Sequence, residues 1–543
     1  MVGARRGEFL MSYNAIYQLT QAITRGAERH PDKAAVRRSG QALTYAELEI
    51  KSNQLANLLR ERGIQKGDRV GFYLNKSLET IIGVYGIMKA GAAYVPLDPF
   101  APAPRLGFVI RNCGIRHLIT SELKLDGVAE MLALDAGLEC LIGVSAQPEM
   151  DVATVSWDEV FALPTVRPEV GIIEQDLAYI LYTSGSTGDP KGIMHTHRSA
   201  LSFAEWAAET YGLHEQDILS NHAPMHFDLS TFDFFAGALV GATTVIIPEA
   251  LTKFPANLTR LIESERISVW YSVPYALIQM LTHGNLDKHD LSSLRWLLFA
   301  GEVFPTKHLR ALMMKLPEVR FSNLYGPTET NVCTFYHVTA VPPDTDEPIP
   351  IGVVCANDEG LIVDADNLPV APGEVGELLI RGGTVMRGYW GRPDLNDKGF
   401  YRRRVFGEAY EDIYYRTGDL VQALPDGNLK YLGRKDRQIK TRGYRVELDE
   451  IEVALLSYEG VEEAAVYPMP DGAGSNLIEA AVTAKEGVTL EVAALVDHIS
   501  AKLPPYAVPE KIWTLDSFPR TSTGKINRRE LQAWAVTAGH NQN

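Results

Sequence analysis

Short apolar runs bounded by turn residues alternate with helical-period segments over most of this chain. Residues 45–63 (TYAELEIKSNQLANLLRER) and 77–91 (SLETIIGVYGIMKAG) repeat apolar positions at helical spacing, and the second leads into an extended AAYVPLDP. The alternation returns at DLAYILYTSG, GATTVIIPEA, ISVWYSVPYALIQML and LRWLLFAGE. Apolar strands separated by amphipathic helices are the mark of a parallel sheet covered on both faces, so a doubly wound α/β architecture is expected. After about residue 350 the texture becomes Gly-rich, with turn-punctuated strands such as GELLIRGG and GNLKYLGR, which predicts an antiparallel, β-rich subdomain. From about 437 a smaller α+β unit is expected: a helix over 449–458, strands EEAAVYPM and LIEAAVTA, a helix over 490–502 and a polar tail.

At 543 residues the chain exceeds what one core organises. The expected division is an N-terminal extension over 1–12, with Met11 a candidate natural start, then a large unit over 13–435 and a small unit over 436–543. Hydrophobic residues at 46% and charged residues at 22% exclude a largely disordered chain. A net charge of -16 without a long basic run argues against nucleic acid, and Arg402, Arg403 and Arg404 read as a solvated face. Cys113, Cys140, Cys333 and Cys355 show neither CxxC nor Cys/His ligand spacing, which fits a reducing cytoplasm and indicates neither a zinc site nor a disulfide framework. No signal peptide and no apolar run of about 18 residues is present, so a soluble protein with no membrane partner is expected.

Five segments carry chemistry. Tyr182-Thr183-Ser184-Gly185-Ser186-Thr187-Gly188-Asp189-Pro190-Lys191-Gly192 follows the apolar LAYIL; its small and hydroxylated residues let N–H and O–H groups approach phosphate, and Lys191 adds charge. This is not the Walker spacing GxxxxGK[ST]. In Asn323-Leu324-Tyr325-Gly326-Pro327-Thr328-Glu329-Thr330 an aromatic suited to stacking on adenine and a carboxylate suited to Mg²⁺ flank a turn. Asp419, in Tyr415-Arg416-Thr417-Gly418-Asp419-Leu420, suits ribose hydroxyls. Gly433-Arg434-Lys435-Asp436-Arg437-Gln438-Ile439-Lys440 spans the expected boundary. Pro519-Arg520-Thr521-Ser522-Thr523-Gly524-Lys525 offers a lysine that can neutralise charge during in-line attack at phosphorus. Each alone is compatible with a plain turn or a surface lysine.

Together, in this order, they resemble the adenylate-forming superfamily, in particular the amino-acid adenylation domains of nonribosomal peptide synthetases. The resemblance extends from LTYAELEIKSNQLANLLR through KAGAAYVPLDP to LPPYAVP and the last lysine loop. It implies that a carboxylic acid attacks the α-phosphate of ATP with release of pyrophosphate, that a small mobile C-terminal domain then rotates, and that a thiol takes the acyl group. ATP and Mg²⁺ are implied, with no tightly bound organic cofactor. The implied roles are phosphate binding by Thr183, Ser184, Gly185, Ser186, Thr187, Gly188 and Lys191, with Thr183 also catalytic. Stacking falls to Tyr325, Mg²⁺ to Glu329, ribose to Asp419, and further nucleotide contacts to Gly301, Asn323, Gly326, Thr328, Tyr431 and Arg434. Asp436 is the implied hinge and Lys525 the adenylation lysine. Ser186 stands where many relatives carry Thr, which keeps the hydroxyl.

His226-Phe227-Asp228-Leu229-Ser230-Thr231-Phe232 resembles the segment whose aspartate pairs with a substrate α-ammonium, against the plainer reading of a helix N-cap. The other implied substrate-pocket positions are Leu229, Phe232, Ser272 and Leu298, then Ala300, Leu324, Val332 and Cys333. Their apolar, crowded character suits a compact aliphatic side chain. The pattern is similar to that of free-standing prolyl-AMP ligases, which makes L-proline the expected substrate, with alanine, D-alanine or valine as alternatives. The expected acceptor is a separate, trans-acting phosphopantetheinylated carrier protein, because little chain follows Lys525, with Arg528 and Arg529 able to meet it. An acyl-CoA ligase is the alternative. A luciferase-like oxidase would need a pocket that Leu229, Phe232 and Leu324 block, and a degenerate non-enzymatic module would have lost Lys191, Glu329, Asp419 or Lys525.

Overall fold

The computed structural model describes residues 15–185, 188–341, 345–405, 409–472, 475–521 and 526–540. The expected extension over 1–12, Ser186, Thr187 and Lys525 lie outside the described residues.

Two large sheets carry the doubly wound part. The first has nine strands, with a parallel centre running Arg320–Tyr325, Trp296–Ala300, Val269–Ser272, Ile218–Asn221, Thr243–Ile246 and Ala34–Arg38. The second has eight strands; Leu177–Thr183 joins its parallel set through Ala93–Pro96, then turns back as the antiparallel Lys191–Thr196. Helices Tyr45–Glu61, Leu78–Lys89 and His197–Thr210 supply Leu55, Leu59, Ile82, Tyr85, Phe203 and Ala204 to one core shared by strands of both sheets. The first of these helices begins where expected because Thr44 and Glu47 cap it reciprocally, at 3.1 and 2.8 Å.

The β-rich expectation holds as a five-stranded antiparallel sheet that includes Val375–Gly382, Tyr410–Ala423 and Leu429–Arg434. Beyond it lie a hairpin, Gln438–Thr441 with Tyr444–Glu447, and a three-stranded sheet packed on helices Leu448–Leu456 and Val492–Ser500 around a separate core. The segment read as a polar tail is structured: it contains strand Lys511–Thr514 and helix Arg528–His540, whose Leu531 and Ala535 are buried against Ala465 and Tyr467. Its sparse apolar positions seat one narrow stripe, which hides the helix from a periodicity reading. The four cysteines are free and buried, and no described helix is long and apolar enough to cross a membrane.

Candidate active site

The site lies where both sheets present the C-terminal ends of their parallel strands, the usual place for ligands in doubly wound folds. Strand Arg320–Tyr325 delivers Asn323, Leu324 and Tyr325 to a cavity of about 390 Å³, and the following turn delivers Gly326 and Thr328. Gly326 is obligatory here, since a Cβ would stand 1.7 Å from the Asn331 carbonyl oxygen. Strand Trp296–Ala300 ends on Ala300 and Gly301 in the same wall.

In the lining of the cavity Tyr325 donates its phenolic hydrogen to Asp419, and its ring lies 6.2 Å from that of Tyr431. Arg434 reaches Asp419 at 3.0 Å and grips both oxygens of Asp436 at 2.7 and 2.8 Å. Burial pushes the Asp419 carboxyl up, with Arg434 and Tyr325 opposing. Asp228 lines the same cavity, and its carboxyl is also pushed up by burial and opposed by the Lys440 charge. Asp228 occupies the N-cap position of the short helix Leu229–Thr231, yet its side chain makes no capping bond; its carbonyl accepts from Thr231 instead. The carboxylate faces the cavity, with the Thr328 hydroxyl and the Leu229 N–H acting on it.

The Ser/Thr/Gly loop lies beside this cavity: Thr183 and Ser184 line a smaller one together with Asp228, Thr328 and Arg445. Thr183 and Lys191 are cross-strand partners, the Thr183 hydroxyl has no partner among the described residues, and Gly188 takes a φ of 93°. A Cβ on Gly185 would meet the Asp189 carbonyl oxygen at 2.1 Å. Lys191 stands 3.5 Å from Glu329.

Four expected pocket residues stand apart from this cavity. Leu229, Ala300, Leu324 and Val332 line it, but Phe232, Leu298 and Cys333 are fully buried in the cores behind it, and Ser272 faces a neighbouring cavity. Leu298 shares its strand face with Ala300 but lies one pleat deeper, below the strand ends. Strand Val269–Ser272 sends Tyr271 to the cavity, and Tyr271 covers Phe232 edge-on at 5.3 Å. Arg528, expected at a carrier surface, is spent on Glu452 at 2.8 and 3.0 Å.

Glu329 departs from the expected magnesium ligand. It is fully buried, held by Arg445 at 2.7 and 3.2 Å and by the Tyr389 hydroxyl at 2.8 Å. With both oxygens engaged by a cation and a donor, it does not fit a metal ion in this arrangement. Arg445 and Tyr389 carried no weight in the sequence reading. Arg445 belongs to the hairpin Gln438–Thr441/Tyr444–Glu447, whose turn is Arg442-Gly443 with φ of 50° and 87°. An x-Arg-Gly-x turn between alternating residues is a readable hairpin signal. The Gly443 N–H donates to Glu302 at 2.8 Å, and the Ser184 hydroxyl donates to the Arg445 carbonyl at 3.1 Å. The hairpin thus forms one wall of the cavity.

Residues 23–390 match the AMP-binding enzyme model, and residues 450–525 match that of the AMP-binding enzyme C-terminal domain. The chain belongs to the AMP-binding enzyme family. This AMP-binding enzyme is 36% identical to an L-proline--[L-prolyl-carrier protein] ligase of Pseudomonas fluorescens over 94% of its own length and 98% of the relative's. It is also 36% identical to a Streptomyces coelicolor protein of the same name, over 90% of this chain and 91% of that one. In fold it resembles the Vibrio cholerae adenylation domain AlmE, solved in complex with glycyl-adenosine-5'-phosphate, with a TM-score of 0.82 over 99% and 100% of the two chains at 21% identity.

Proposed function

We propose that this AMP-binding enzyme activates an amino acid, L-proline first among candidates, as its aminoacyl-AMP and passes it to the phosphopantetheine thiol of a separate carrier protein. The observation that carries the reading is the uncapped Asp228 carboxylate in a cavity that is also lined by Tyr325, Tyr431, Asp419 and Arg434. Asp228 suits an α-ammonium and the Tyr325, Tyr431, Asp419 and Arg434 group suits a nucleoside, so a carboxyl and an α-phosphate would meet in the same cavity. Leu229, Ala300, Leu324 and Val332 leave an apolar wall without a second charge, which favours a compact aliphatic substrate such as the one named for the two ligase relatives.

In this reading Thr183, Ser184, Gly185, Gly188 and Lys191 hold the phosphates, joined by Ser186 and Thr187. Two working units divide at Asp436, which Arg434 steadies as the hinge. With the hairpin docked, the second cavity, of about 350 Å³, shares Phe227, Leu229 and Gly443 with the first. It offers the pantetheine arm a path to the carbonyl. Withdrawal of the hairpin would release Glu329 from Arg445 and let Lys525 approach for adenylation. ATP is the co-substrate, and Mg²⁺ would neutralise its phosphates.

The test is pyrophosphate exchange with each of the twenty amino acids, D-alanine and β-alanine. Proline should give the highest exchange. Another winner would overturn proline, and exchange with none of them would overturn amino-acid activation altogether.

A further inference from the structure

Lys76 is among the largest side chains wholly enclosed by the protein, an unusual place for an ammonium. It follows strand Arg69–Tyr73 of the eight-stranded sheet and reaches across to the nine-stranded one. There its three donors meet three successive carbonyls, Asn221 at 3.0 Å, His222 at 2.9 Å and Ala223 at 3.3 Å. These carbonyls mark the point where strand Ile218–Asn221 ends and the loop to Asp228 begins. Among the described residues no backbone N–H reaches the His222 or Ala223 carbonyl, so the ammonium supplies the bonds that the sheet no longer can. The Asn221 amide adds a longer bond to Ala223, at 3.4 Å, and donates to Asp233 at 3.0 Å. Asp233 lies in the π-helical turn Phe232–Ala236, directly after the helix that carries Leu229. The loop between is braced within itself: the Phe227 N–H donates to the Pro224 carbonyl at 3.1 Å, and the Ser230 hydroxyl to the Phe227 carbonyl at 2.7 Å. A shift at the clasp therefore carries through to Asp228 and Leu229. Lys76 is itself fixed, since its backbone N–H donates to Glu249 at 2.7 Å. Burial lowers the ammonium to about 8, with Glu249 and Asp233 opposing, so it is charged at neutral pH.

We propose that Lys76 is a positioning residue for amino-acid binding: it acts through Asp228, holding the loop so that this carboxylate meets the substrate ammonium in the first cavity. The inference rests on the amino-acid activation proposed above. A purely structural staple would be served as well by apolar side chains packed between the sheets, without the cost of enclosing a charge. An ammonium instead fixes three carbonyl directions at once, and with them the peptide planes that lead into the loop. Lys76 also lines the second cavity, but its donors are spent on the carbonyls, which leaves none for a ligand there.

The experiment is a double-mutant cycle read in pyrophosphate exchange on the full-length protein, with proline or whichever amino acid the parent prefers. KM is the readout, because it does not depend on how much of a preparation is folded. Lys76→Met, similar in length but without the charge, should raise the KM for the amino acid by about 10–100-fold, the scale of a misplacement near 1 Å, and leave the KM for ATP within about twofold. Lys76→Arg, which keeps the charge and the donors, should recover part of that loss. In an Asp228→Ala background Lys76→Met should add less than about twofold, because the group it positions is gone. An unchanged KM, a loss confined to kcat, or the full increase on top of Asp228→Ala would each overturn the assignment and leave Lys76 a staple between the sheets. Should Lys76→Met fail to fold, Lys76→Gln takes its place in the same cycle. A parent protein that exchanges with no amino acid would defeat amino-acid activation itself, a failure distinct from additivity in the cycle.

Discussion

Arg445 and Glu329, 116 residues apart, meet as a two-pronged ion pair at 2.7 and 3.2 Å beside Lys191. Burial alone would raise the Glu329 carboxyl, but Arg445 and Lys191 outweigh it and hold the group well below the usual carboxylate range. The pair ties the hairpin to the phosphate-loop side of the site. Removing one partner of a buried pair costs about 3–5 kcal/mol. Arg445→Gln should therefore weaken docking, slowing transfer from preformed adenylate while sparing pyrophosphate exchange by comparison. Stopped-flow transfer and exchange assays on one preparation check this, and unchanged transfer would remove Arg445 from any role in docking.

Asp228 faces the cavity without a capping duty. Asp228→Ala should leave the helix Leu229–Thr231 in place and raise the KM for the amino acid by about 10²–10³-fold, the scale of losing a desolvated charge partner. A melting temperature near that of the parent, together with the KM from exchange kinetics, separates this from misfolding. An unaltered KM would argue that the α-ammonium binds elsewhere.

Ala300 lines the cavity from the end of its strand. Ala300→Val adds two methyl groups where the proposed side chain sits, so exchange should shift from proline toward alanine or glycine. The ratio of kcat/KM values should move by about 10–200-fold, the range that one or two methylenes command. A variant that still prefers proline by the parent margin would place the side-chain pocket elsewhere.

His195 is buried, stacked on Tyr179 at 5.0 Å, with Nε2 donating to the Thr328 carbonyl at 2.9 Å. Burial lowers its pKa from 6.5 to about 4. Between those values the unfolded chain binds a proton that the folded chain refuses, so this group's contribution to stability falls as pH drops from 6.5 to 4 and levels off below. The slope is about 1.4 kcal/mol per pH unit at most. Urea melts of the parent and of His195→Gln across that interval should differ by up to one proton in their pH dependence. Parallel curves would contradict the neutral assignment.

How much of this was legible differs from element to element. The helices at 45–63 and 77–91, the strand before the phosphate loop and the antiparallel strands after 350 follow from periodicity, because local burial sets them. Asp228, Leu229, Ala300 and Leu324 line one cavity. Leu298 and Cys333 do not, because their depth below the strand ends is a property of the sheet and not of the residues flanking them. The helix Arg528–His540 was missed because it seats only a narrow apolar stripe.

Sequence by itself determined the alternating α/β plan, the family and the inventory of candidate groups, since these depend on residue type, order and short-range spacing. Only the tertiary structure decided that Glu329 is engaged by Arg445, that Arg434 binds Asp419 and Asp436 together, and that Lys440 points into the cavity. The Glu329 and Lys440 outcomes hang on where one hairpin seats, an encounter between segments more than a hundred residues apart that no local pattern encodes, whereas Arg434 meets Asp419 across two adjacent strands.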